Sequence, residues 1–448
     1  MPRRSAPVAP AAPTTGFQRI EERFPWPWQG VSFSPTYILF LGYVFVISAQ
    51  VLNLGQVAMG LALLTLTMGA KDRWKFPAPF VFMVAFFLVI AVTFQSTEYR
   101  SFVYRPLTDM LKVFLITAVA VSVLDSRPRI RFFMFFYLAV FALFPVRGGL
   151  FNWFIYNSAT QGRVAWNLTF ENPNDYAAYM IFPLGLCLAV FLAEKSKLLK
   201  QASFLGLVAI PLLIFMTQSR GAILALGAGV MTFILTQGKG RAKTLLAVGA
   251  IAAVVVVFAP SGVWSRLNSL KSATESGNLT QANDSRSAEQ RFEIWRVALK
   301  VHQAFPITGV GWGAYPNAHS EYSRRSGIAV IAGGARDAHN TYLTVLCESG
   351  WVGFLLWMGM IMSIVVTSIR AMRRVRPYIN EYALQIRMLL LALLSYGAAG
   401  VFGSFAHVTF SYLHLAALLS LSMIALREAQ AFETGGARRV RGVSARAS

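Results

Sequence analysis

The chain has 448 residues, of which 56% are apolar, 13% aromatic and only 13% charged, too few polar side chains to clothe an ordinary soluble domain. The formal net charge is +22, but the excess lies in short clusters rather than on one basic face, which excludes nucleic acid as the partner and points to anionic membrane lipid. No GxxxxGK[ST] phosphate loop, HExxH zinc motif, Asp-x-Asp pair or GxSxG elbow occurs, so nucleotide hydrolysis, metalloprotease and serine-hydrolase chemistry have no footing.

Residues 1–35 are Pro- and Ala-rich without an apolar stretch near the start, and are expected to form a flexible cytoplasmic lead rather than a cleaved signal peptide. Apolar runs long enough to cross a bilayer then begin near Tyr37, Gly55, Pro79, Thr108, Arg131, Tyr176, Ala202, Gly221 and Thr244, and again near Trp351, Met388 and Phe410. Lipid admits only helices or closed barrels, and these runs are too long for barrel strands, so the expected fold is an all-α bundle of about twelve spans. The organisation reads as nine spans over 36–259, a polar insertion over 260–339, three spans over 340–430 and a flexible cytoplasmic tail over 431–448. With the N-terminus inside, 26 of the 41 basic residues fall in the predicted cytoplasmic segments. Twelve spans with both termini inside account for that bias; eleven or thirteen do not. Cys187 and Cys347 are far apart and lack partners at ligand spacing, so both read as buried apolar fillers, with no disulfide and no metal site.

The basic residues on the predicted outer face run against the charge bias and carry the candidate chemistry. Arg163 opens the loop that leads to Glu171-Asn172-Pro173-Asn174-Asp175, a helix-start signature with Asn174 or Asp175 as N-cap; the arginine either touches substrate or organises this loop. Arg220 sits in the tight hairpin Thr217-Gln218-Ser219-Arg220-Gly221, where a charge near hydrocarbon is costly and calls for an anionic partner or a lipid headgroup.

Inside the insertion, Arg291 precedes Trp295 by one helical turn on a helix spanning 285–304. Phe292, Trp295 and Leu299 are expected to form its packing face, with the Arg291 guanidinium beside the indole; a solvated face balanced by Glu289 and Glu293 is the plainer alternative. Three glycines follow at 309, 311 and 313. The insertion closes on Asp337-Ala338-His339-Asn340 and re-enters the bilayer toward Glu348, Gly350 and Gly353. Neighbouring arginines should keep His339 neutral at pH 7, the form a general base requires, although a lone histidine can equally be structural.

Taken in order, Gly162-Arg163 with Asn172-Pro173-Asn174, Ser219-Arg220-Gly221, Arg291 with Trp295, Pro306 with Gly309-Val310-Gly311, and His339-Asn340 with Glu348, Gly350 and Gly353 resemble the bacterial O-antigen ligase and polymerase superfamily of integral membrane glycosyltransferases. The resemblance covers roughly 162–353; nothing before Arg131 can be tied to it. It implies transfer of a glycan from undecaprenyl pyrophosphate to an acceptor hydroxyl at the periplasmic face of the bacterial inner membrane, inverting and without metal or other cofactor. Arg220, Arg291 and His339 would be catalytic, and Arg163, Asn174, Trp295, Asn340 and Glu348 would bind substrate. His339 could serve as base, orient the acceptor or bind phosphate. The implied partners are the lipid-linked donor, a glycan or lipid acceptor, and polysaccharide-export or chain-length factors. Ligase, polymerase and protein glycosylation share these motifs.

A polytopic transporter or lipid-linked-glycan flippase forming no bond is the competing reading. Its intramembrane charge candidates, Asp109 and Lys112, stand three residues apart and could simply pair with each other.

Overall fold

The computed structural model describes residues 26–50, 54–69, 71–158, 162–237, 240–258, 283–325 and 333–444, with the backbone alone at 255, 258, 283–288 and 435–444. Most of the proposed N-terminal lead, the first part of the insertion (260–282) and the last four residues lie outside that set. The described chain is helical, without strands, as the apolar runs require. In order the helices are Pro35–Ala49 (α1), Gly55–Thr67 (α2), Pro79–Ser96 (α3), Arg100–Val123 (α4) and Arg127–Phe141 (α5), the last continuing through a π-turn at Ala142–Val146 into Arg147–Phe154 (α6). Then come Pro173–Tyr179 (α7), Ile181–Ala193 (α8), Lys197–Met216 (α9), Arg220–Leu235 (α10), Arg241–Phe258 (α11), Asn283–Ala304 (α12), Tyr315–Arg325 (α13), Thr341–Val375 (α14), Asn380–Ala399 (α15) and Thr409–Ser444 (α16).

Among the described residues, eight segments are long and apolar enough to cross a membrane, and α1, α2 and α10 are apolar but shorter. Every apolar run named from the sequence falls on a described helix, the one from Thr244 on α11, which belongs to neither group. The protein is an all-α polytopic membrane protein. Its last helix runs on to Ser444, well into the segment read as tail.

Small residues let helices approach where hydrophobic burial gives no drive between spans. Gly185 of α8 lies against Ala392 of α15, and Gly229 of α10 against Ser395 of the same helix, in both cases with no room for a methyl group. The central helix α14 is broken at Gly350 (φ 62°, ψ −171°). That break interrupts the intrahelical ladder and frees carbonyls for other donors. Val310 N–H donates to Cys347 O (2.9 Å), Gly311 N–H to Glu348 O (3.0 Å), and Trp351 N–H to Pro306 O (2.8 Å). The strap 306–311 is thus stitched to the kink. Glycine is required on both sides, since a Cβ on Gly350 would collide with Ile307 O and one on Gly309 with the Glu348 carbonyl.

Helices α12 and α13 of the insertion pack on this strap through Val310. Ile294, Val297, Ala298 and Val301 of α12 are buried, and the last three share a core with Tyr315 and Ala318 of α13. This corrects the packing face expected from sequence: Phe292 is 62% and Leu299 49% exposed. The smaller residues at 294, 297, 298 and 301 hold the i, i+3, i+4, i+7 stripe, and bulk misled the reading.

Loops sort to two ends as alternating spans demand. At one end Arg129 bonds Asp72 (2.6 Å) and Arg131 bonds Glu194 (2.9 Å). At the other end, the loops around Arg163, Thr217, Arg291, Asp337 and Ser404 meet.

Candidate active site

The hairpin between α9 and α10 and the loop before α7 are tied together by backbone and side chain. Val164 N–H donates to Met216 O (3.1 Å), and Gln218 Nε2 donates to Gly162 O (2.8 Å). Arg163 spans the junction: its Nε donates to Thr217 O (2.7 Å) and its terminal NH2 to Asn174 Oδ1 (2.7 Å). Asn174 is free to accept because it is not the cap of α7. Asn172 is, accepting from Asn174 N–H (2.9 Å) with Pro173 at the first helical position, where a missing N–H costs nothing.

Arg220 is the first residue of α10, behind Ser219 as N-cap. Gly221 beside it presses on Phe402 so closely that no Cβ would fit, which brings the loop between α15 and α16 over this helix terminus. Arg291 arrives from α12. Together Arg163, Asn174, Gln218, Ser219, Arg220, Gly221, Arg291, Phe402 and Phe405 line a cavity of about 70 Å³, space for roughly five waters. Three guanidiniums and the first turn of a helix therefore face one small chamber, an arrangement that favours anions. Burial, and then the charge of Arg220, hold Arg291 below the usual guanidinium range.

His339 stands next to this chamber, not in its lining. Its backbone is left-handed (φ 46°), and Asn340 behind it caps α14, accepting from Tyr342 N–H (3.0 Å) and Leu343 N–H (3.1 Å). Trp295 fixes the turn by donating its Nε1–H to Ala338 O (2.9 Å), and its ring meets Phe292 edge to face. Burial lowers the His339 pKa most; Asp337 opposes that, while Arg291 and Arg336 reinforce it. The imidazole is neutral at pH 7 and close enough to Arg291 to feel its charge.

Of the sequence candidates, Arg163, Asn174, Arg220 and Arg291 line the cavity, and His339 adjoins it. Trp295 and Asn340 shape the His339 turn. Glu348 lies deeper, 2% exposed, with its oxygens facing Tyr315 N–H (3.4 Å) and His407 Nε2 (2.8 Å). The sequence reading passed over Gln218, Phe402, Phe405 and His407. Its one available signal for the last three was that 400–408 falls on the same side as the other candidate loops.

No curated protein matches the chain. Residues 204–358 match the family model described as O-antigen ligase, a stretch that holds Arg220, Arg291 and His339, and this match supports the resemblance to the O-antigen ligase and polymerase superfamily.

Proposed function

We propose that the arginine-lined cavity receives the diphosphate of an undecaprenyl-linked glycan and that the protein transfers the glycan to an acceptor hydroxyl at the periplasmic face of the inner membrane. The observation that carries this reading is the meeting of Arg163, Arg220 and Arg291 at the first turn of α10, beside an imidazole kept neutral. Planar guanidiniums suit phosphate oxygens, and they are in place before charge develops on the leaving diphosphate. The acceptor oxygen attacks the anomeric carbon from the face opposite the leaving group, the bond to the diphosphate breaks with inversion, and His339 takes the acceptor proton. Charge neutralisation is assigned to the arginines, so the reaction is metal-independent.

Arg163 is a binding residue held in place by Asn174. Trp295 and Asn340 act by setting the His339 turn, and Glu348 acts from below. The carrier reading is weakened by the pairing of Lys112 Nζ with Asp109 Oδ1 at 2.8 Å, which leaves its main intramembrane charges satisfied by each other.

The test is reconstitution of purified protein in liposomes with undecaprenyl-diphosphate oligosaccharide and a hydroxyl acceptor, without nucleotide sugar and with chelator present. New glycosidic product and released undecaprenyl diphosphate support the reading. Movement of the intact lipid-linked glycan between leaflets with no bond formed overturns it in favour of a flippase.

A further inference from the structure

The loop at 400–408, between α15 and α16, reaches the cavity, the turn before His339 and the strap. Phe402 and Phe405 line the cavity. Ser404 Oγ donates to Asp337 Oδ1 (2.8 Å), two residues before His339, and also meets Thr344 Oγ1 (3.0 Å). His407 closes the loop against the strap: its Nε2 lies 2.8 Å from Glu348 Oε2, and its ring stacks on Trp312 with centroids 4.1 Å apart. Trp312 is fully buried and sits between Gly311 and Gly313, both in the left-handed region. Glu348 faces Tyr315 N–H with its other oxygen, so one carboxylate joins α13, the kinked α14 and the 400–408 loop.

We infer that the Glu348–His407 pair, clasped under Trp312, is a positioning device that holds the cavity floor and the insertion in register, and that it works with His407 protonated. A buried carboxylate is costly without a cation, and His407 is the cation within reach. Burial disfavours its charge, but Glu348 and then Asp337 outweigh burial and raise its pKa above the ordinary histidine value. The groups facing the pair are Asp337 toward His407, and Tyr315 and Cys347 toward Glu348. Because the folded-state pKa is raised, the stabilisation is complete below the ordinary histidine pKa and is lost as pH rises through the folded value. The clasp is closed below the ordinary histidine pKa and loosens as pH rises through the raised folded value.

This inference rests on the transferase reading for its effect on rate, but not for its structural readout. Hydrogen exchange of peptides covering 306–315 and 400–408 is measured from pH 6 to 9, corrected for intrinsic rates, in full-length protein, H407Q, H407F and E348Q. Wild type should lose protection in both peptides together on the alkaline side, by about tenfold, the scale of one charge-assisted hydrogen bond. All three variants should start at the lower protection and show no pH step, H407F included, since it keeps the aromatic stack but not the charge. Transfer rate should fall over the same alkaline range in wild type, with kcat affected more than KM. Flat wild-type protection, or a pH step that persists in H407Q, overturns the clasp even where transfer activity is intact. A step present in an inactive wild type sinks the transferase reading alone.

Discussion

Arg220 and Arg291 belong to different parts of the chain, one at the first turn of the apolar helix α10 and the other on the insertion, and yet they line the same cavity closely enough that the charge of Arg220 disfavours that of Arg291. Like charges held together this way favour an anion between them. R220A and R291A should therefore abolish the extra stability given by undecaprenyl diphosphate. Thermal shift of the detergent-purified proteins, with and without that lipid, decides this. A ligand-induced shift that survives in both variants would show the diphosphate binding elsewhere.

The neighbours of His339 set where its rate profile bends. Arg336 depresses its pKa and Asp337 raises it, and the base must be neutral to act. In wild type the acid limb of kcat/KM should lie below the ordinary histidine value. R336A should move that limb to higher pH and D337N to lower pH. Two variants that shift it the same way, or not at all, would detach His339 from proton transfer.

Trp295 contributes through Ala338. Replacing it by Phe keeps the ring and deletes the Nε1–H donor, a loss of about 0.5–1.5 kcal/mol in a net hydrogen bond. W295F should slow transfer several-fold at near-normal expression, the effect falling on kcat because the His339 turn is loosened. Unchanged kcat would mean the turn is held without it.

Gly350 is the point where the strap meets the kinked α14. An alanine there must adopt a left-handed backbone and place its Cβ on Ile307 O, so G350A should cost about 1–3 kcal/mol for the backbone alone and more for the clash. Fluorescence-detected size exclusion after a heating series reads this directly. A wild-type melting curve for G350A would contradict the described geometry.

At the opposite end, the Arg129–Asp72 ion pair has side chains only 6% and 2% exposed. Breaking it from one side strands a buried charge, so R129A should destabilise by about 3–5 kcal/mol. Because that end is remote from the arginine cavity, the KM of the folded R129A fraction should be unchanged.

Much of the fold was legible because its cause is local: runs of apolar residues bounded by basic clusters specify spans and their alternation, and alternation alone brings Arg163, Arg220, Arg291 and His339 to one end. The contacts that complete the site were not legible. The cap of α7 was read as Asn174 or Asp175, but Pro173 takes the first helical position and leaves Asn172 as the cap, which frees Asn174 for Arg163. A glycine within an apolar run is ordinary in membrane helices, so the break at Gly350 is visible only alongside the strap it accommodates. His407 lies in a short, mostly apolar loop, and its role depends on a carboxylate far away in sequence. The packing face of α12 was misread because Phe292 and Leu299 outweigh Val297 and Ala298 in bulk, although burial follows helical phase.

The most direct measurement of the central claim is the count of undecaprenyl diphosphate released per glycan transferred, by mass spectrometry on reconstituted wild type, R220A, R291A and H339A at equal folded amounts. The account requires one diphosphate for each new glycosidic bond in wild type and none above background in the three variants. Full turnover in all three variants would contradict it.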